Sequence, residues 1–248
     1  MAVSPAAPDS DAPPDSLINH ADAIRYWSST PATVSGVLGG YPGLSRTDIQ
    51  GSANFLAKLR RGSGSSSKKL ARVVDCGAGI GRITLGLLGK VAEKVDVVEP
   101  VASFCDVVRQ GKEFDGFRGH VWEAGLEAWE PFPGLEKGDT PKGEDGPLYD
   151  LIWNQWCLSQ LTDKQLVAYL EKSKAWIKPG GFIIVKENLS NHVQSLDVFD
   201  ETDSSVTRTR EKFEAIFEQA GLKALKTELQ RGFPKELYPV RMWGLQPI

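Results

Sequence analysis

Cysteine is scarce. Three stand in 248 residues, Cys76, Cys105 and Cys157, an odd count at wide spacing with no C-x-x-C pair. Neither a disulfide framework nor a zinc site is suggested, and no metal is expected. A reducing compartment fits this usage, so the expected location is the cytoplasm, with the nucleus as a further one. No apolar run reaches the roughly 18 to 20 residues that span a bilayer, so no membrane partner is expected. The opening stretch "MAVSPAAPDSDAPPDS" has neither a basic segment nor an apolar one, which argues against a secretory signal there. Long basic blocks are missing too. Arg60-Arg61 and Lys68-Lys69 are short, they flank a Gly/Ser stretch, and the formal net charge is -3. Steady nucleic-acid binding through phosphates is therefore not favoured. Small molecules or basic partners suit a mildly acidic chain better.

What is present is enough apolar material, 41% of 248 residues, for one full core with extensions. Residues 1–18, rich in Pro, Ala, Ser and Asp, bury too little to offset chain entropy and are expected to be a disordered tail. Residues 19–61 are expected to form an N-terminal helical extension around "RYWSSTPATVSGVLGGY", covering the cofactor and substrate site. Residues 62–69, within "RRGSGSSSKK", read as a flexible linker. From 70 to 248 strand and helix patterns alternate. Strands are predicted over 70–75, 94–100, 119–126, 149–154, 178–188, 224–230 and 238–245. Helices are predicted over 81–91, 101–111, 162–177 and 209–221. Thr162 and Gln165 have capping-box spacing, and Gly111 and Gly221 stop two helices. Such alternation means a largely parallel α/β sheet. The segment "PGLEKGDTPKGEDGP" (133–147) reads as an exposed loop.

The informative stretch is "RVVDCGAGIGRITLGL" (72–87). A hydrophobic run ends at Asp75, and glycines follow at 77, 79 and 81 before a helical pattern. In a doubly wound sheet, ligands sit at the carboxyl ends of the strands. Glycine lets backbone approach a ligand and adopt φ values that Cβ forbids. Glu99, ending "VDVVE", lies where an acid accepts two ribose hydroxyls. NAD(P) and S-adenosylmethionine (SAM) both fit this plan. NAD(P) sites favour GxGxxG, whereas here the spacing is GxGxG. Arg82 ends the turn and can pair with the carboxylate of SAM's amino-acid end, which favours SAM.

Later segments sharpen this. "WIKPGGFIIVKEN" and "YDLIWNQW" resemble the fifth- and fourth-strand segments of class I SAM-dependent methyltransferases. With "YW…TVSGVLGGY" (26–41), "DCGAGIGRIT" (75–84), "LIWNQW…LTD" (151–163) and "DETDSSVTR" (200–208), the sequence resembles the protein α-N-terminal methyltransferases. These methylate the terminal amine of X-Pro-Lys/Arg proteins. The resemblance implies a Rossmann-like class I fold, a seven-stranded mostly parallel sheet flanked by helices.

It also implies roles. Gly77, Gly79, Arg82, Glu99 and Pro100 would bind SAM, with Leu126 and Glu127 beside the adenine, Gln155 near the methionine part, and Trp27 covering the cofactor. Trp156, Leu38, Gly39 and Tyr238 would line the peptide channel, where an aromatic wall suits a flat proline. Asp200, Asp203 and Ser205, in a loop, would receive the third-position Lys or Arg. Asp203 would take the amine proton and Asn188 would orient the amine. The family usually has Asp at 99 and Gln at 127, both chemically close to the residues here. It carries a His where this chain has Gln160. Gln accepts no proton at neutral pH, so either Asp203 acts alone or through water, or Gln160 only positions the peptide. Basic-tailed ribosomal or chromatin proteins are the expected substrates, and a monomer the expected state. A SAM-dependent enzyme acting on a small molecule is the alternative, and would need an apolar lid in place of an acidic exit. A SAM-binding adaptor without catalysis is a further one.

Overall fold

The computed structural model describes residues 12–62, 68–131 and 149–248. The segments 63–67 of the expected linker, and the expected loop at 133–147, lie outside the described residues, as do residues 1–11 of the expected tail. The N-terminal part forms α1 (His20–Ser29), α2 (Val34–Val37) and α3 (Leu44–Gly62). Strands and helices then alternate: β1 (Leu70–Cys76), a π-helical turn (Thr84–Leu88) running into α4 (Gly89–Val91), β2 (Ala92–Glu99), α5 (Ala102–Gln110), β3 (Arg118–Glu123), β4 (Tyr149–Gln155), α6 (Asp163–Trp176) and β5 (Ile177–Asn188). They are followed by β6 (Val198–Asp200), β7 (Ser205–Thr207), α7 (Arg210–Gln219), β8 (Leu222–Leu229) and β9 (Val240–Pro247).

Seven strands form one sheet in the order β3-β2-β1-β4-β5-β9-β8. The pairings from β3 to β5 are parallel, and β9 runs antiparallel to both of its neighbours. The fold is Rossmann-like, as expected. Chain order reverses at β1 and β4, whose carboxyl ends open the crevice in which such sheets hold ligands. The continuous apolar runs of the central strands follow from burial on both faces. Val74, Ile152 and Val185 turn to the layer of α6 and α7, joined there by Leu166, Leu170, Phe213 and Phe217. Val73, Leu151 and Ile184 turn to the opposite layer, built with Phe55, Leu56 and Leu59 of α3. The Thr162–Gln165 capping box predicted for α6 is formed.

Three features differ from the sequence expectation. First, α3 also packs along the sheet as a structural layer, which the sequence did not lead us to expect of the N-terminal part. Its Phe55, Leu56 and Leu59 are buried against the strands, a burial worth about 1.5–3 kcal/mol per side chain. Second, the expected loop holding "DETDSS" is a short antiparallel hairpin, with Asp200 opposite Ser205. Strands of three residues carry no readable alternation, and their turn-forming residues dominated the pattern. Third, the disorder expected over 1–18 does not extend to Pro14–Leu17, which form a 3-10 turn against the hairpin. Asp15 Oδ2 accepts from the Asp163 N–H at 2.9 Å, and the Asn19 N–H donates to Ser204 Oγ at 2.8 Å.

Candidate active site

After β1 the chain turns on glycines in the left-handed region, Gly77 at φ +63° and Gly79 at φ +56°. A Cβ on Gly77 would stand 2.2 Å from the Cβ of Cys157, so only glycine allows this approach. The Gly79 N–H donates to Glu99 Oε2 (2.8 Å) and the Val101 N–H to Oε1 (2.9 Å). The Glu99 carboxylate is thus fixed in orientation, and each oxygen retains acceptor capacity for a hydroxyl. Burial pushes its pKa up to about 6 against these two backbone donors. Asp75 sits beneath, taking the Thr84 hydroxyl at 2.5 Å, and burial raises it to about 7.

These groups open on a cavity of about 480 Å³. Trp27 and Ile24 of α1, Leu38 and Tyr41 wall one side. Leu126 and Glu127 follow β3, and Trp156 and Gln160 follow β4. Asn188, Asp200, Asp203, Ser205 and Tyr238, with Gly77, Arg82, Glu99 and Pro100, complete the lining. The structure thus brings together 15 of the residues expected from sequence, drawn from segments far apart in the chain.

Three expected site residues stand outside the lining. Gly79 spends its N–H on Glu99, so it orients that carboxylate. Gly39, at φ +57°, shapes the turn after Leu38. The side chain of Gln155 is buried behind the wall. Its Nε2 lies 3.0 Å and 2.9 Å from the two carboxylate oxygens of Asp48, and its Oε1 accepts from Trp153 Nε1–H at 3.1 Å. Its amide is committed there, so the side chain stands behind the lining, on the same Asp48 carboxylate that Arg82 meets.

Arg82 is also tied to Asp48, through Nη1 at 2.6 Å from Oδ2. Its guanidinium stacks over Trp156, Cζ lying 5.6 Å from the ring centroid. Trp156 itself has φ +55°, an uncommon conformation for a non-glycine residue, and such strain concentrates at functional sites. The turn is held from β5. The Trp156 N–H donates to the Lys186 carbonyl (3.0 Å), and the Cys157 and Leu158 N–H groups both donate to Glu187 Oε1 (2.9 Å each). Burial raises Glu187 to about 7. Phe233 lies against Trp156, ring centroids 6.4 Å apart.

Among the lining residues, Gln160 Nε2 donates to Asp203 Oδ2 at 3.3 Å. Burial raises the Asp203 carboxyl above its ordinary value. Trp156 Nε1, Gln160 Oε1 and Asp203 Oδ1 are buried and have no hydrogen-bond partner among the described residues. All three belong to residues that line the cavity. Buried polar atoms are rarely left so, and together they offer one donor and two acceptors to an incoming group. Asp200, on β6 beside the hairpin turn, is exposed and accepts the Thr202 N–H at 2.8 Å.

Sequence reasoning missed Asp48, Lys186, Glu187 and Phe233. Lys186 carried a signal, a charge within the buried run "FIIVKEN". Asp48 carried none, since an acid in a helix reads as solvated until its partners are known.

The model of the AdoMet-dependent proline di-methyltransferases matches residues 15–246. The chain belongs to this family. It is 41% identical over 230 residues to alpha N-terminal protein methyltransferase 1 of Schizosaccharomyces pombe, covering 92% of this chain and 96% of that protein. It is 36% identical to N-terminal Xaa-Pro-Lys N-methyltransferase 1 of Xenopus tropicalis, covering 90% of this chain and 93% of the relative. A solved SAM-dependent methyltransferase of Leishmania major superposes with a TM-score of 0.77 at 34% identity, covering 92% of this chain and 82% of that one. The methyltransferase is accordingly SAM-dependent. Its cavity fits that group: Glu99 offers both oxygens at a buried turn, and Arg82 lines the cavity as a cation whose side chain is 8% exposed, suited to a carboxylate.

Proposed function

We propose that this methyltransferase modifies the α-amino group of proteins whose N-terminus reads X-Pro-Lys/Arg after removal of Met. The observation that carries this is the unpartnered trio Trp156 Nε1, Gln160 Oε1 and Asp203 Oδ1 in a cavity edged by Asp200. A terminal amine with its protons is a donor that two acceptors can hold, and the acidic edge suits a cationic third residue. A small-molecule enzyme has no use for that edge.

Bound SAM supplies a methyl group on a sulfonium. The chain's residues supply position and a proton acceptor. The terminal ammonium has a pKa near 8, so it loses a proton before its lone pair forms the new N–C bond and the C–S bond breaks. Asp203, raised by burial, is the better acceptor for it, and the proton passes on to water. Gln160 accepts a hydrogen bond and takes no proton, and Asn188 orients the amine. Trp156 and Phe233 flank the proline. Holding both reactants together supplies much of the rate. A proline at the first position takes up to two methyls, and a primary amine up to three.

The substrates we favour are basic-tailed ribosomal or chromatin proteins, met in the cytoplasm and nucleus by an enzyme with three free cysteines. Labelled SAM with a Ser-Pro-Lys-Arg peptide and its N-acetylated copy tests the proposal. Label should enter the free peptide alone. Equal labelling of both, or of neither, overturns it.

A further inference from the structure

Behind the cofactor turn lies a polar cluster whose members, Arg82 and Gln155 apart, have no part in the roles assigned so far. Its centre is Asp48 of α3, fully buried although it is charged. Arg82 Nη1 reaches its Oδ2 and Lys186 Nζ its Oδ1, while Gln155 Nε2 meets both oxygens. Lys186 is also fully buried, and Ser52 Oγ of α3 accepts from it at 2.9 Å. A carboxylate this enclosed is expensive to bury and must be matched by its partners. Here one carboxylate faces two cations, so it neutralises one charge of the two. Arg82 is the member of the cluster that lines the cavity.

We propose that Asp48 is a positioning residue for the cofactor: by fixing Arg82 it prepares a cationic site for the carboxylate of SAM's amino-acid end. Helix α3 of the N-terminal part thereby belongs to the cofactor site. Geometry supports this in two ways. Both Asp48 oxygens are occupied, so Arg82 cannot slide along the carboxylate. The face of the guanidinium is held separately by Trp156 at 5.6 Å, leaving its remaining N–H groups for the ligand. The inference rests on Arg82 as the ligand of the amino-acid end.

Two ligands separate positioning from general damage. S-adenosylhomocysteine has the amino-acid end; 5′-methylthioadenosine has the same adenosine and thioether without it. Calorimetry on the full chain should show Asp48→Asn weakening S-adenosylhomocysteine by roughly 10- to 100-fold, with 5′-methylthioadenosine binding unchanged. Because Asp48→Asn leaves two buried cations uncompensated, Gln155→Met is measured beside it. It keeps the ion pairs, frees the carboxylate to turn, and should shift the same ratio in the same direction by less. Parallel loss of both ligands, or loss of neither, in whichever variants fold overturns the inference. Arg82→Ala is the control. If it loses S-adenosylhomocysteine selectively while the Asp48 and Gln155 variants do not, only the positioning role fails. If it binds both ligands as the unsubstituted protein does, the assignment of Arg82 fails, and the positioning role with it.

Discussion

Arg82 lies over the ring of Trp156, its Cζ 5.6 Å from the centroid. In the proposed function Arg82 faces the cofactor's amino-acid end and Trp156 walls the peptide channel, so the two proposed binding sites share a contact. A cation over an aromatic face is worth about 0.5–2 kcal/mol. Trp156→Ala should therefore weaken S-adenosylhomocysteine by roughly 2- to 30-fold, besides its effect on peptide. Trp156→Phe keeps a ring and should retain most of the cofactor affinity. Both variants replace a residue at φ +55° with another non-glycine residue, so the backbone strain should be similar in the two. Titration calorimetry without peptide checks this, and unchanged affinity in the Ala variant would mean that the stacking contributes nothing.

Asp200 and Asp203 should separate in kinetics. Asp203 is half-buried, with one oxygen unpartnered beside Gln160, whereas Asp200 is exposed at the edge. Asp203→Asn should lower kcat by about 10²- to 10⁴-fold, the usual range for loss of a general base. Asp200→Asn should chiefly raise the peptide KM, and more for a third-position Lys than for Gln. SAM affinity should stay level in both. A fall in SAM affinity with kcat preserved would place the hairpin elsewhere in the mechanism.

How much of this was legible in the sequence depended on whether a residue's role is local. Thr162 with Gln165, whose side chains cap each other's backbone N–H, and the glycines at 77 and 79, whose backbone makes the turn, act within a few residues of chain, so spacing sufficed to read them. The strand run 70–75 needed only its apolar residues to be placed within one residue of the observed end at Cys76. Asp48, Gln155 and Lys186 are different. They lie on a helix and two strands, and their meaning arises only where those elements meet. The hairpin at Val198–Thr207 was hidden for another reason. Its pairing covers three residues on each side, too short for alternation, and the turn chemistry of Asp and Ser dominated.

Gln160 should tune the acidity of Asp203. Its amide donates to Oδ2, which favours the carboxylate and partly opposes the rise caused by burial. Removing that donor raises the Asp203 pKa further. The base acts unprotonated, so activity falls as pH drops through this pKa. In Gln160→Leu the acid limb of kcat, followed at saturating peptide and SAM, should move to higher pH. A limb at the same pH would show that Asp203 does not control it, and a shift to lower pH would contradict the hydrogen bond.

Glu187 should make stability depend on pH in a predictable direction. Burial lifts its pKa from 4.5 to about 7 in the folded chain, so the folded state holds this proton more tightly than the unfolded state. The protonated group costs nothing below the unfolded value. As pH rises from about 4.5 to 7, the unfolded chain ionises first and the fold loses stability, on the order of a few kcal/mol in all. Glu187→Gln retains a side-chain oxygen for the Cys157 and Leu158 N–H groups but has no charge to bury. Asp75 and Glu99 titrate alike in both proteins and drop out of the difference. The variant's Tm, compared with that of the unsubstituted protein, should therefore gain steadily between pH 5 and pH 7.5 and level off above. A difference that stays flat would mean that Glu187 ionises as an ordinary carboxyl, and that the turn carrying Trp156 rests on something else.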